Sequence, residues 1–313
     1  MQKARGAAMK ILVVGAGAIG SLFGAMLSKK NDVILLGRSR HVDAINRNGL
    51  CVTGKTRMRI RIAAVDSADR ISMIPDVILL TVKSYDTEIA IKEVQPLINN
   101  KTTVISLQNG LENIEKIAQV ISTRQVLAGV TTHGVIFSKP GEIIHTGKGN
   151  TLLGAPTRDA ARRVVGMVRL FNDAGIKTHA SRHILRELWR KAIINSSINP
   201  ITAFLQCKNG YLLKNAILEH LVEKVCEEST RVAQQNGITI TPEDMIRRTK
   251  KVIRETAENY SSMAQSIQQG KRTEIETING SFVRFGKHHR VQTPLNSMLL
   301  ELILSITSEE QSK

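Results

Sequence analysis

Between the aliphatic run Ile11-Leu12-Val13-Val14 and a helical pattern beginning near Ala18 lies the hexapeptide Gly15-Ala16-Gly17-Ala18-Ile19-Gly20. No other stretch constrains the fold as tightly. Three glycines spaced G-x-G-x-x-G have separate tasks only where a strand turns sharply into a helix. The first permits the tight turn, the second lets a phosphate approach the backbone, and the third allows close helix–strand packing. A second strand, Asp32–Leu36, follows a helix expected to end near Lys29. This order is a βαβ unit, whose helix N-terminus offers unsatisfied N–H groups to a pyrophosphate. Gly15, Ala16, Gly17, Ala18, Ile19 and Gly20 are therefore candidate cofactor-binding residues.

The same alternation of short apolar runs and helical patterns continues to about residue 150. Asp76–Val82 reads as a third strand, its β-branched content suited to burial on both faces, and Thr102–Leu107 reads as a fourth. Val126–Thr131 and Glu142–His145 are strand-like, with a turn at Lys139-Pro140-Gly141. Thr151–Gly154 is expected to close the sheet. Beyond about residue 180 the pattern is almost wholly helical. Helices are expected from His183 to Ala203, Gly210 to Gln235, Pro242 to Asn259, Gly270 to Lys287, and after Pro294. Pro200 should kink or end the first of these, because proline removes a donor from the helix ladder. The reading is α/β: a Rossmann-type doubly wound sheet over residues 1–181, followed by an all-α domain over 182–313.

A chain of 313 residues suits two domains. No run of about 18 apolar residues is present, so no membrane span is expected. Met1–Lys10 lacks the apolar core of a signal peptide and reads as a short extension. Cys51, Cys207 and Cys226 are too scattered for a disulfide framework or a metal site, which points to a reducing cytoplasm. The formal charge of +17 attracts anions, but with only 3% aromatics and dispersed basic residues it argues for anionic small molecules, not nucleic acid. The sequence carries no motif for self-association; a homodimer through the helical domain is compatible with it.

The end of the second strand bears on which nicotinamide nucleotide is bound. Preference for NAD usually needs an acidic residue about 20 residues beyond the glycines, accepting from the ribose 2′-hydroxyl. Here the stretch is Gly37-Arg38-Ser39-Arg40, where guanidinium groups would pair with the 2′-phosphate of NADPH. In the helical half, Lys191, Asn195 and Asn199 recur at i, i+4 and i+8, along one helix face. One ammonium and two amides suit a carboxylate and a ketone oxygen. Ile193, Ile194 and Ile198 face the other way. His133 and His145 read as structural or supporting residues.

The segment Trp189-Arg190-Lys191 through Asn199-Pro200 resembles that of the ketopantoate reductase (2-dehydropantoate 2-reductase) family. So do Lys83 after the third strand, Asn109-Gly110 after the fourth, Ser261-Ser262-Met263-Ala264-Gln265, and Thr273-Glu274-Ile275 with Asn279-Gly280. The resemblance runs from Met9 to the last helix, and several motifs stand in the family's order. It implies reduction of 2-dehydropantoate to (R)-pantoate, in pantothenate and coenzyme A biosynthesis. It further implies Lys191 as general acid, with Asn109, Asn195, Asn199, Asn209 and Ser262 as substrate-binding residues beside it. Arg38, Lys83, Asn109, Val135 and Glu274 match cofactor-contacting positions, Val135 through its backbone alone. Asp86 departs from the pattern, since some relatives carry a neutral amide there. Two other readings stay open: an NADPH-dependent reductase of another branched 2-oxo acid, and a catalytically silent NADPH-binding regulator.

Overall fold

The computed structural model describes residues 8–309; the short extension expected at Met1–Lys10 lies, for residues 1–7, outside them. The chain forms two units, residues 1–108 with 113–184, and residues 109–112 with 185–313.

The first unit is built on strands β1 (Lys10–Val14), β2 (Asp32–Leu36), β5 (Ala63–Val65), β6 (Val77–Leu80), β7 (Thr103–Ser106), β8 (Val126–Thr131), β11 (Thr151–Gly154) and β12 (Thr178–Ala180). They form one sheet in the order β12-β11-β8-β7-β6-β1-β2-β5. Every neighbouring pair is parallel except β8 with β11. Side chains alternate between faces along each strand, so each central strand feeds two cores. Ile11, Val13, Val77, Leu79, Ile105 and Leu127 enter one, beneath α1 (Ala18–Leu27) and α5 (Ala161–Asp173). Leu12, Val14, Ile78, Leu80, Val104 and Val126 enter the other, beneath α3 (Thr87–Val94) and α4 (Asn113–Ala118). Helices on both faces make the sheet doubly wound, as its aliphatic runs require.

Glu142–His145, strand-like in sequence, falls in β10 (Glu142–Gly147), part of a second sheet with β9 (Gly134–Lys139), β3 (Leu50–Gly54) and β4 (Met58–Ile60), in the order β4-β3-β10-β9. Its strands β3 and β4 follow α2 (Ser39–Asn48) and β9 and β10 follow β8, and the sheet packs against α1, contributing Leu50, Val52 and Ile143 to the first core. Thr151–Gly154 does not close the main sheet, because β12 adds a further strand beyond it. A three-residue strand has too little pattern of its own, and here pairing with β11 defines it.

The second unit is helical: α6 (Ile184–Phe204), α7 (Ala216–Gln235), α8 (Pro242–Glu255), α9 (Ser262–Gln268), α10 (Ile275–His288) and α11 (Pro294–Glu309). Caps decide where these helices differ from the periodicity. The Asn215 side chain accepts from the N–H groups of Ile217 and Leu218, so α7 begins there, after a short 3-10 stretch at Asn209–Leu213. Helix α8 stops at Glu255, before the expected Asn259. Gly270, in the left-handed region at φ 59, closes α9, and α10 starts only at Ile275. Helix α6 is not ended by Pro200 and continues to Phe204. Trp189 anchors it, its ring edge-on to Phe282 and tilted against Phe285. No helix among the described residues is long and apolar enough to cross a membrane.

Candidate functional site

In the first unit the chain reverses direction across the sheet at β1, with β2 on one side of it and β6 on the other. Open α/β sheets bind ligands at the carboxyl ends of the strands where this happens. The glycine loop occupies that position. Gly15 has φ 101, and a Cβ on it would lie 2.5 Å from the Val82 nitrogen. A Cβ on Gly20 would lie 2.2 Å from the Gly15 carbonyl oxygen and 2.5 Å from Thr81 Oγ1. A Cβ on Gly17 would meet nothing within 4 Å. Thus two of the glycines are demanded by the protein itself, and the third leaves open space. Gly17 is the N-cap of α1, no side chain caps that helix, and its first turn holds no acidic residue. This arrangement fits a pyrophosphate, which would accept from the uncapped N–H groups.

Hydrogen bonds fix the loop from both sides. The Leu36 carbonyl accepts from Gly15 and Ala16 N–H, at 2.9 Å each, and Thr81 Oγ1 donates to the Gly15 oxygen at 2.8 Å. Gly141 N–H donates to His41 Nδ1 at 2.9 Å, so the His41 proton sits on Nε2, facing Ser21 Oγ at 3.1 Å. The Ser21 hydroxyl then donates to the Ala16 carbonyl at 3.2 Å. Burial lowers the His41 pKa and keeps this relay neutral.

Arg38 stands just past β2 as the N-cap residue of α2, exposed like Arg40 in the first turn of that helix. Lys83, half-buried, follows β6, and its carbonyl accepts from Asp86 N–H at 2.8 Å. The glycine loop, Arg38 and Lys83 therefore follow three adjacent strands. Val135 lies elsewhere, in β9 of the second sheet, paired with His145 and packed against the first core. His133 Nδ1 is 3.0 Å from His145 Nε2, which also faces the Gly147 carbonyl at 3.0 Å. Burial, then the neighbouring His145, pushes the His133 pKa down to about 4, and burial lowers that of His145. Both shifts favour the neutral imidazoles over the charged ones.

In the second unit, the row on α6 is not a solvated stripe. Lys191 and Asn195 are half-buried, and Asn199 is 6% exposed. Ile193 and Ile198, on the other side, are buried in the helical core. Burial lowers the Lys191 pKa from 10.5 to about 8, against the opposing pull of the Glu274 carboxylate. Glu274, buried at the N-cap position of α10, accepts from Asn109 Nδ2 at 3.2 Å. Lys191, Glu274 and Asn109 thus form one polar cluster, with an ammonium that releases its proton easily. Asn209, also buried, donates from Nδ2 to Thr256 Oγ1 at 2.9 Å, while its Oδ1 is buried with no hydrogen-bond partner. An orphan acceptor of this kind suits a hydroxyl-bearing ligand. Ser262 is the exposed first residue of α9; Ser261 before it caps that helix and accepts from Thr202 at 2.8 Å.

Several contributors were not singled out from sequence. Thr81 locks Gly15 and crowds Gly20; its only signal is a hydroxyl inside an aliphatic strand run. Ser21 and His41 gave none. Glu112 accepts from Ser281 Oγ at 3.0 Å and from Arg284 Nε at 3.0 Å, tying the Asn109 segment to α10. Only the fold reveals that pairing.

Residues 11–158 match the family described as ketopantoate reductase PanE/ApbA, and residues 183–307 match its C-terminal domain. The 2-dehydropantoate 2-reductase of Pyrococcus horikoshii is 40% identical over 298 residues, covering 94% of this chain and 96% of its own. A solved PanE/ApbA family ketopantoate reductase from Ralstonia eutropha JMP134 gives a TM-score of 0.89 at 30% identity, over 97% of this chain and 100% of that one. A D-mandelate dehydrogenase solved with NADH and anilino(oxo)acetate gives a TM-score of 0.92 at 27% identity, over the same shares.

Proposed function

Because the chain belongs to the ketopantoate reductase PanE/ApbA family, whose members are oxidoreductases acting on CH–OH groups, we propose that it reduces 2-dehydropantoate to (R)-pantoate with NADPH, in pantothenate and coenzyme A biosynthesis. The observation that carries this reading is the burial-lowered Lys191 ammonium, beside Glu274 and in line with Asn195 and Asn199. NADPH, when bound, supplies the hydride for the ketone carbon. The remaining work falls to the chain's own side chains. Negative charge develops on the ketone oxygen, and the Lys191 ammonium stabilises it and then gives up its proton there. A pKa near 8 leaves lysine mostly charged at neutral pH yet far more acidic than a solvated one. Glu274 opposes premature proton loss.

Asn195 and Asn199 would donate to the substrate carboxylate and ketone. Asn209 and Ser262 complete the proposed substrate set, and the unpartnered Asn209 Oδ1 would accept from the substrate's terminal hydroxyl. Gly15 to Gly20 would hold the pyrophosphate, and Arg38 the 2′-phosphate, which favours NADPH over NADH. Lys83, Asn109, Val135 and Glu274 are the further proposed cofactor contacts. The chain's residues 1–181 and 182–313 would serve nucleotide and substrate respectively.

The likeness to a D-mandelate dehydrogenase favours one second reading, a reductase of a different 2-oxo acid. NADPH consumption with 2-dehydropantoate, beside a panel of other 2-oxo acids that includes benzoylformate, separates the two. Strong preference for 2-dehydropantoate is expected. Preference for another acid would keep the lysine chemistry and replace the substrate, and tight NADPH binding without turnover of any acid would overturn the enzymatic reading.

A further inference from the structure

Pro200 lies inside α6 without an N–H, so the Ser196 carbonyl four residues earlier loses its helical donor. The residue before a proline is also disfavoured in helical conformation, yet Asn199 is helical and α6 runs on to Phe204. The missing donor comes from another helix. Asn279 Nδ2, on α10, donates to the Ser196 carbonyl at 3.2 Å. The other Asn279 amide hydrogen goes to Asn296 Oδ1 at 3.0 Å.

Asn296 in turn donates to Glu228 Oε1 at 2.8 Å and to Ser229 Oγ at 3.1 Å. That leaves the Ser229 hydroxyl to donate to Ser196 Oγ at 3.1 Å, and the Ser196 hydroxyl to donate to the Ile193 carbonyl at 2.9 Å. Glu228 also accepts the N–H groups of Leu295 and Asn296 at the start of α11. Asn279, Asn296, Ser196 and Ser229 are each 0% exposed, and Glu228 is 1% exposed. Burial shuts this network off from bulk solvent and its amide donors are committed, while Asn279 Oδ1 is buried without a hydrogen-bond partner. The mended turn lies between Asn195 and Asn199.

We propose that Asn279 is a positioning residue for the reaction. It substitutes for the amide that Pro200 removes, and so keeps Asn199 in register with Asn195 and Lys191. The inference rests on reading that row as substrate-binding.

The test is a double-mutant cycle of Asn279→Ala and Pro200→Ala in the full chain, because alanine at 200 restores an N–H for the Ser196 carbonyl. In the Pro200 background, Asn279→Ala should lower kcat/KM for the oxo acid by on the order of tenfold to a hundredfold, as for a misplaced binding group. The loss should lie chiefly in KM, with NADPH affinity and the Lys191-controlled alkaline limb unmoved. In the Pro200→Ala background the same replacement should cost much less, and the thermal midpoint should show the same coupling. Equal losses in both backgrounds would overturn the proposal, leaving Asn279 a partner of the Asn296–Glu228 core alone. Should Asn279→Ala fail to fold, a folded and active double variant supports the proposal and an unfolded one overturns it. A wild-type protein without turnover of any 2-oxo acid would instead strike the functional reading. The cycle would then be decided by the thermal midpoint, where coupling supports helix repair and additivity rejects it.

Discussion

The glycine loop after β1 and the lysine row on α6 perform their proposed tasks with different materials. The loop is made of backbone: its chemistry is N–H groups at a helix start, and its side chains matter by being absent. The row is made of side chains whose chemistry depends on what surrounds them. At Gly15 and Gly20 the protein's own atoms forbid a Cβ. At Lys191 no neighbour is forbidden, but burial resets the acidity of the group. A backbone site is therefore written in spacing, whereas a side-chain site is written partly in its environment.

Replacing Lys191 by Ala sharpens this contrast most. Turnover should fall on the order of a hundredfold or more, as for a lost general acid, while NADPH affinity measured by titration stays near wild type. A turnover number close to wild type would remove Lys191 from its role.

Gly20 and Gly17 should then separate. Gly20→Ala, with its contacts of 2.2 and 2.5 Å, should lower both thermal stability and NADPH affinity, the former by about 1–3 kcal/mol as for overpacking. Gly17→Ala meets no protein atom; it should leave the thermal midpoint nearly unchanged and still weaken NADPH, because its methyl group enters the space proposed for the pyrophosphate. Calorimetry with nucleotide titration checks the pair, and equal destabilisation by both would break the distinction.

Arg38→Asp should have a smaller, selective effect. NADPH binding should weaken by about tenfold to a hundredfold, as for a lost charge-assisted contact, with NADH much less affected. Equal losses for the two nucleotides would undo the assignment of Arg38 to the 2′-phosphate.

How much was legible follows the same division. Asp32–Leu36, Val126–Thr131 and Thr151–Gly154 have the strand limits expected of them, because aliphatic runs bounded by turns define buried strands. The second sheet was not legible as such. Met58 and Ile60 alternate with Arg59, a strand signal, but only pairing with β3, itself paired with β10, makes them part of a separate layer. The types and spacing of Lys191, Asn195 and Asn199 were on the page, and their burial was not. Nothing local to Pro200 foretells that Asn279, 79 residues later in the sequence, supplies its missing donor.

The most direct test of the account is the pH dependence of kcat/KM in the wild type and in Glu274→Gln. Lys191 acts as an acid only when protonated, so kcat/KM should fall as pH rises through about 8, approaching tenfold per pH unit. Glu274 raises that pKa, so its neutral replacement should move the fall to lower pH. A profile flat through this range, or a shift to higher pH in Glu274→Gln, would contradict the assignment of Lys191 as the proton donor.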